Sequence, residues 1–170
     1  NQILKNFVLG ICRAKKDWHI SSISKKLIKE IKKEIGKNSV IMGVSGGVDS
    51  AVAATLLHKA IGSRLYCVFV DHGFIRKGEA DEVTSFFEEK LKFRHFYFVD
   101  ASHIFLEKLK GIAEPEEKRK IIGHTFIEVF ESKVIELEKK HKGIKFLGQG
   151  TIYPDRIESA QPSKYASKIK

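Results

Sequence analysis

The 170-residue sequence has few cysteines and prolines, and it has no long apolar run. Its two cysteines, Cys12 and Cys67, are too few and too far apart in the chain to indicate a disulfide framework or a zinc site. No apolar stretch approaches the roughly 20 residues that span a bilayer. Residues 1–10 also lack the charged-then-apolar order of a secretory signal. These absences argue against a membrane span and predict a reduced, cytoplasmic protein.

Acidic residues are in the minority, with 21 Asp and Glu against 31 Lys and Arg, which gives a net charge of +10. Such an excess is one sign of nucleic-acid binding. However, Lys25, Lys29 and Lys32 take the positions left outside when a helix turns its apolar face inward. We therefore interpret the charge as solvated helix faces and expect no nucleic-acid partner. The same positive field would favour small anionic ligands such as nucleotides.

Short apolar runs alternate along the chain with stretches that have helical periodicity. The runs are apolar throughout, which is typical of strands buried on both faces of a sheet. The pattern predicts an α/β fold, with a parallel sheet flanked by helices. Ser102 is predicted to cap the fourth helix, and the chain after Gly150 is predicted to be loop. Helices are predicted over 21–37, 48–61, 78–91, 102–109 and from Pro115 onward, and strands over 39–44, 65–70, 96–99 and 144–147.

A glycine-rich segment, Ser45-Gly46-Gly47-Val48-Asp49-Ser50, separates the first predicted strand from the helix that follows. Ligands of open α/β sheets bind outside the carboxyl ends of strands. The two glycines let the backbone approach phosphate oxygens, and the helix adds its free N–H groups and its dipole. The hydroxyls of Ser45 and Ser50 can donate to the same oxygens. A glycine turn before a capped helix would explain SGG alone, but the full pattern favours a phosphate site.

Asp49 adds a negative charge to this predicted phosphate site. A carboxylate would repel a bare phosphate, so its presence indicates a bridging cation, and Mg²⁺ held by Asp49 and the phosphates is the expected solution. The segment is not a Walker A loop, because no Gly-Lys-Ser/Thr follows it. It resembles the SGGxDS loop (PP-loop) of the adenylating ATP pyrophosphatases. That resemblance implies cleavage of ATP to AMP and pyrophosphate.

Three further segments narrow the resemblance. They are the stretch from Val70 to Glu79, the opening of the long helix from Pro115 to Gly123, and the stretch from Gly148 to Ser159, which contains QGTIYPDRIES. Together with the loop, they resemble the ATP pyrophosphatase domain of the GMP synthase family. The likeness begins near Asp17 and implies an adenine-nucleotide alpha-hydrolase-like fold.

The resemblance implies a reaction, its cofactors and its partners. ATP and Mg²⁺ would adenylate XMP at its C2 oxygen, and ammonia would then displace AMP to give GMP. The ammonia would come from a glutamine amidotransferase domain or subunit, and the full-length enzyme would be a homodimer. In the family's arrangement, Ser45 to Ser50 bind pyrophosphate, Asp49 holds the metal, and Val70 packs against the adenine. Lys118, Arg119 and Lys120 correspond to a lid over the phosphates, and Asp155, Glu158 and Ser159 approach XMP.

Several of these residues also have simpler explanations. Lys118 to Lys120 could form an ordinary solvated turn of helix, although cations near leaving pyrophosphate would stabilise its growing charge. Glu116 and Glu117 could be lid carboxylates or partners of the helix dipole. Asp155 could begin a turn after Pro154. His72 could be a base, but in an Asp-His-Gly turn we interpret it as structural.

The resemblance also implies a domain division. Residues 1–20 are expected to be a tail or linker after an amidotransferase domain, and residues 21–170 the ATP pyrophosphatase domain, without the C-terminal dimerisation domain. We therefore expect a fragment that does not make GMP unaided. Other PP-loop enzymes (NAD synthetase, argininosuccinate synthase and the tRNA-modifying adenylases) share the first loop, and QGTIYPDRIES argues against them. A nucleotide-binding or RNA-binding module without chemistry is the alternative of a different class.

Overall fold

The computed structural model describes residues 1–16 and 20–150. Four parallel strands form one sheet in the order β3-β2-β1-β4. Successive strands run outward from β1 to β2 and β3, whereas the chain returns to the other side of β1 for β4. The strand order therefore reverses beside β1, and such a switch point opens a crevice at the carboxyl ends of the strands. The strands are β1 (Ser39–Gly43), β2 (Leu65–Asp71), β3 (Phe96–Asp100) and β4 (Ile144–Gly148).

Helices connect the strands and cover both faces of the sheet. The segment after α1 and the segment after α4 continue as π-helical turns, over Asn6–Ile11 and Phe86–Lys90, and a 3₁₀ turn over Gly62–Arg64 leads into β2. The α-helices are α1 (Gln2–Lys5), α2 (Ile20–Ile35), α3 (Val48–Ile61), α4 (Glu79–Ser85), α5 (Ser102–Leu109) and α6 (Pro115–Lys140).

The two faces of the sheet bury two separate apolar clusters. On one face, Met42 and Phe69 pack with residues of α2, α3 and α4 and with the fully buried Phe87 of the π-helical turn after α4. On the other face, Ile41, Val68 and Val70 pack against α5 and α6. Because successive strand residues point to opposite faces, each strand serves both clusters. The site described below lies at the end of the sheet where α6 crosses over the second cluster.

Most predicted elements are confirmed, and α3 has the predicted bounds. The predicted burial of strands on both faces holds for β1 and β2, which are buried along almost their whole length. It is wrong for β3 and β4, where buried and more exposed residues alternate because these strands lie at the edges of the sheet. The helix predicted over 78–91 is α-helical only over Glu79–Ser85, since the chain widens into a π-helical turn at Phe86.

Neither cysteine is in a disulfide. Cys12 is exposed, whereas Cys67 is buried in β2, as its apolar surroundings predict. Within residues 1–16 and 20–150, no helix is long and apolar enough to cross a membrane.

Candidate functional site

The segment between β1 and α3 forms a tight loop at the switch point of the sheet. Val44 continues the pairing of β1 by one residue, because its N–H donates to the carbonyl of Val68 at 2.9 Å. The chain then turns, and α3 begins at Val48. The side of the loop from Ser45 to Asp49 is exposed, whereas Ser50 is only 8% exposed. The tip of the predicted phosphate loop is therefore exposed to solvent, and the buried Ser50 anchors the loop to the rest of the fold.

The hydroxyl of Ser50 is that anchor. It donates to the carbonyl of Gly47 at 3.0 Å and accepts from the backbone N–H of Ser45 at 3.2 Å. It also lies 3.2 Å from the hydroxyl of Ser45, which in turn is 3.4 Å from the N–H of Gly47. Since Ser50 gives its proton to Gly47, Ser45 is the donor between the two hydroxyls. The two serines thus hold the loop closed, and they take up the N–H groups of Ser45 and Gly47 within it.

Gly46 could not be another residue without distortion of the loop. Its φ of +76° lies in the left-handed region, which side chains rarely adopt. A methyl group at this position would also lie 2.5 Å from Cγ2 of Val83 on α4. The glycine therefore allows α4 to pack directly against the loop.

The start of α3 is well suited to an anion. Gly47 is its N-cap and supplies no capping side chain, so the first N–H groups of the helix have no side-chain partner from their cap. They add to the positive end of the helix dipole. Asp49 stands exposed in this first turn. An anion bound at the helix start would therefore lie beside a carboxylate, which is the arrangement expected where a divalent cation bridges the two.

A cavity of about 440 Å³ extends from this loop across the carboxyl ends of β1, β2 and β4. The loop contributes the hydroxyls of Ser45 and Ser50 to the lining, which we call its polar end, and α6 contributes the rings of Phe126 and Phe130, which we call its apolar end. This shape suits an elongated ligand with one anionic end and one flat apolar end. The lining residues are Gly43, Val44, Ser45, Ser50, Phe69, Val70, His72, Ile75, Phe126, Ile127, Phe130, Leu147, Gly148, Gln149 and Gly150.

Val70 lies at the apolar end, and its backbone is turned towards the cavity. The last paired residue of β1 is Gly43, opposite Val68. Backbone groups of alternate residues in a strand point to the same side, so Val70 presents its N–H and C=O on the side of β1. Opposite Val70, β1 has already ended and the chain has turned into the loop. One donor and one acceptor of Val70 therefore flank the space where a flat ring would lie.

Two aspartates shape the turns that follow β2 and β3. Asp71 Oδ1 accepts from the N–H of Gly73 at 2.7 Å. Asp100 Oδ1 accepts from both the N–H and the hydroxyl of Ser102, at 3.0 and 2.6 Å, and these bonds lower the pKa of Asp100. The prediction that Ser102 caps α5 is therefore wrong. Ser102 is the first residue of the helix, and the carboxylate of Asp100 takes the capping role.

The structure brings His72, which the sequence placed in a structural role, into the lining of the cavity. It lies two residues beyond Val70 and contacts Phe105 edge-on, with ring centroids 5.9 Å apart. The aromatic residues Phe126 and Phe130 were also predicted only as helix core. Their role could not be recognised from local spacing, because α6 is distant in sequence from the loop that it covers.

The predicted lid residues lie outside this lining. Lys118, Arg119 and Lys120 are exposed in the first turns of α6, where Arg119 Nη1 donates to Glu116 Oε2 at 3.0 Å. They precede Phe126 by six to eight residues, which is roughly 10 Å along a helix axis. Glu114 caps the helix by accepting from the N–H of Glu116. The structure thus places the three cations on the helix that roofs the cavity, and their action on phosphate stays a prediction.

The remaining site predictions concern the XMP side and the metal. Asp155, Glu158 and Ser159 lie outside the described residues. Within the described ranges, no group of three or more His, Cys, Asp or Glu side chains could hold a metal ion by itself. A metal at Asp49 would therefore need oxygens from its ligand and from water. Mg²⁺ at phosphate sites is commonly held in that way, by one or two carboxylates with phosphates and waters.

Comparison with known proteins then places the chain in a family. The family model described as NAD synthase matches residues 20–123, which is more than half of the chain. The chain belongs to the NAD synthase family. The match contains the loop, Asp49, Val70 and the first turns of α6. This match confirms the prediction of a PP-loop nucleotide-binding domain.

Among curated proteins, the chain is similar to GMP synthases (glutamine-hydrolyzing). It is 53% identical over 158 residues to the GMP synthase of Carboxydothermus hydrogenoformans, covering 93% of this chain and 30% of that protein. It is 49% identical over all 170 residues to that of Thermotoga petrophila, covering 33% of that protein. The predicted resemblance is confirmed. The chain spans about a third of the length of the relatives that it matches.

Solved structures of this family share the fold at low identity. An NH3-dependent NAD synthetase from Campylobacter jejuni matches 87% of the chain with a TM-score of 0.62 and 16% identity, over 63% of its own length. An NMN synthetase from Francisella tularensis matches 88% with a TM-score of 0.60 and 16% identity, over 61% of its own length. The predicted α/β fold, with a parallel sheet between helices, is therefore confirmed.

Proposed function

We propose that this chain supplies the ATP pyrophosphatase site of a GMP synthase. The C2 oxygen of XMP attacks the α-phosphorus of ATP, the bond to the β-phosphate oxygen breaks, and pyrophosphate leaves. Ammonia then attacks C2, the C2–O bond breaks, AMP leaves and a proton is lost, which gives GMP. The observation that carries the proposal is the identity of about 50% to GMP synthases over nearly the whole chain.

The loop is suited to the pyrophosphate part of ATP. The serine hydroxyls and the N–H groups of Ser45 and Gly47 are used to close the loop, so the donors for phosphate oxygens would be the N–H of Gly46 and those at the start of α3. These donors are fixed before the ligand arrives. They would therefore stabilise charge that grows on the leaving pyrophosphate without first having to reorganise.

The apolar end of the cavity is suited to the adenine. The flat base would lie beneath Phe126 and Phe130, with its edge against the backbone N–H and C=O of Val70. The amino group and ring nitrogen of adenine form a donor–acceptor pair that complements one backbone N–H and one C=O. Aromatic side chains favour such stacking of a base. This supports the predicted role of Val70.

The residues present also fit Mg²⁺. Asp49 is an exposed carboxylate at the start of α3, where the bound phosphates would supply further oxygens. The cation would neutralise the pyrophosphate and would allow Asp49 to stand beside it. In the same proposal Lys118, Arg119 and Lys120 close over the phosphates, and Asp155, Glu158 and Ser159 contact XMP.

The partners follow from the same similarity. A glutamine amidotransferase domain or subunit would deliver ammonia, and the complete enzyme would be a homodimer. Residues 1–20 would join the ATP pyrophosphatase domain to the amidotransferase. These partner functions would lie in the part of the enzyme that this chain does not match, since the chain covers about a third of its relatives.

A second candidate function is NAD synthesis, because the family model and the structural neighbours carry that description. The identities favour GMP synthesis, since they are about 50% to GMP synthases but 16% to the solved NAD synthetase. Both reactions adenylate an oxygen and then add ammonia. They differ in the acceptor, so the acceptor is what an experiment must vary.

The test is a chimera in which this chain replaces the matching third of the Thermotoga petrophila GMP synthase. We expect the chimera to form GMP from XMP, ATP and ammonia, to lose this activity with Asp49→Ala, and to leave the carboxylic-acid form of NAD unchanged. A chimera that binds Mg·ATP but adenylates the NAD precursor, or adenylates neither acceptor, would contradict the proposal.

A further inference from the structure

Polar side chains are scarce in the cavity, and their distribution is uneven. Of its lining residues, only four have polar side chains: Ser45, Ser50, His72 and Gln149. The two serines belong to the phosphate loop. Gln149 is next to Gly150, whose position lies against the backbone of Ser50 at the start of α3. His72 is therefore the remaining polar side chain of the lining, and it lies in the turn after β2, two residues beyond Val70.

A hydrogen-bonded turn and two aromatic rings hold the side chain of His72 in place. Asp71 accepts from the N–H of Gly73 at 2.7 Å, which fixes the turn that carries the imidazole. The ring stacks on Phe74, with centroids 5.5 Å apart, and meets the edge of Phe105 at 5.9 Å. Phe105 is fully buried in the same cluster as Val70. The imidazole and Val70 thus lie on the same face of the sheet.

The hydrogen bonding of the ring determines which nitrogen can meet a ligand. The N–H of Phe74 donates to Nδ1 of His72 at 3.1 Å. A neutral imidazole that accepts at Nδ1 carries its proton on Nε2. The turn therefore holds His72 as a hydrogen-bond donor at Nε2, in a cavity whose other polar side chains are the two serines and Gln149.

We propose that Nε2–H of His72 donates a hydrogen bond to a ring nitrogen of the purine base of the bound nucleotide, and so helps to select the base. This inference rests on the proposed function, because it requires ATP to lie with its base at the apolar end. Purines carry unprotonated ring nitrogens at their edges, which are acceptors for such a donor. His72 would then be a specificity residue that acts on the base, while the loop acts on the phosphates.

The proposal predicts that loss of the His72 donor weakens the binding of ATP but not of a phosphate ligand that lacks a base. His72→Phe keeps an aromatic ring of similar size but removes the donor, so we expect ATP affinity to fall about ten-fold, as for one well-placed hydrogen bond. His72→Gln supplies an amide N–H at similar reach, so it should retain most of the affinity. Neither substitution should change the binding of tripolyphosphate, which has no base.

The experiment is calorimetric titration of Mg·ATP and of Mg·tripolyphosphate into the wild-type chain, His72→Phe and His72→Gln. Loss of ATP affinity in His72→Phe alone, with equal tripolyphosphate binding in all three proteins, would support the inference. Equal ATP binding by wild type and His72→Phe, or equal losses in His72→Phe and His72→Gln, would overturn it. Failure of the wild type to bind either ligand would instead overturn the proposed function on which it rests.

Discussion

The hydroxyl of Ser50 lies 3.2 Å from both the backbone nitrogen and the hydroxyl of Ser45, and this contact closes the loop before α3. It joins the last residue before the glycines to the first turn of the helix. Because the serine protons and the N–H groups of Ser45 and Gly47 are used within the loop, the N–H groups at the start of α3 are what remains for a ligand. The shape of the phosphate site is therefore a property of the folded chain and does not depend on the ligand.

The first prediction concerns this contact. Ser50→Ala removes a buried hydroxyl that both donates and accepts, so we expect the free energy of unfolding to fall by about 1–2 kcal/mol. Mg·ATP should also bind more weakly. Urea denaturation measures the first effect. Ser132→Ala is the control, since its hydroxyl donates to Glu128 on the exposed face of α6, and it should cost about 0.5 kcal/mol or less. Equal costs at the two serines would contradict the role of Ser50.

The second prediction concerns the approach of α4 to the loop. Gly46→Ala introduces a methyl group at a φ of +76° and 2.5 Å from Val83, so we expect a loss of at least about 2 kcal/mol in denaturant unfolding. Gly47→Ala is the matched control. Its φ is −72° and its nearest neighbour is Ser45 Oγ at 3.4 Å, so it should cost about 1 kcal/mol or less.

A double-mutant cycle separates the two causes of that loss. Val83→Ala removes the atom that a methyl group on residue 46 would meet. The cost of Gly46→Ala should therefore be smaller in the Val83→Ala background than in the wild type. If the cost is the same in both backgrounds, the close packing of α4 on the loop is not the reason for the glycine.

The third prediction concerns the two thiols. Burial raises the pKa of Cys67 to about 12, so this thiol stays protonated at pH 8 as well as covered. Cys12 is exposed. A chromogenic disulfide reagent at pH 8 should therefore titrate one thiol rapidly in the native protein and two in denaturant. Rapid reaction of both thiols without denaturant would show that β2 is not buried between the two helix layers.

The fourth prediction is a pH dependence at the cap of α5. The bonds from Ser102 lower the pKa of Asp100 in the folded protein, so the ionised carboxylate stabilises the fold above its unfolded pKa. This stabilisation is lost as the pH falls through the folded pKa. Asp100→Asn should therefore melt below the wild type at pH 7, and the difference should begin to shrink once the pH falls below about 4 and vanish below the lowered folded pKa.

A matched control variant removes one negative charge, as Asp100→Asn does, but leaves the cap of α5 in place. Glu107→Gln lies on the exposed side of the same helix. It removes one negative charge but none of the hydrogen bonds made by Asp100. It should not reproduce the pH-dependent difference in melting temperature. If it does, the effect belongs to the overall charge of the protein.

Much of the fold could be predicted because the apolar runs, the helical periodicity and the glycine positions indicated the same elements. The apolar runs of β1 and β2 lie between helices with clear periodicity, and α3 begins directly after two glycines. Periodicity could not show where α4 widens into a π-helical turn at Phe86. It also could not identify the cap of α5, because Asp100 and Ser102 are both suitable capping residues.

The candidate site could be predicted only in part. The phosphate end is contiguous in sequence, from Ser45 to Ser50, and is therefore visible as a motif. The apolar end is assembled from β2 and α6. Phe130 and His72 have no local pattern that distinguishes them from core residues. Only their approach to the loop in three dimensions shows that they share one cavity with it.

The most direct test of the central claim is calorimetric titration of Mg·ATP into the wild-type chain and an Asp49→Ala variant at matched salt. Asp49 is exposed, so the substitution should leave the fold intact. We predict that the wild type binds ATP only with Mg²⁺ and that Asp49→Ala loses this metal dependence together with most of its affinity. Equal binding by both proteins, or binding by neither, would contradict the assignment of the loop from Ser45 to Ser50 as a metal-dependent ATP site.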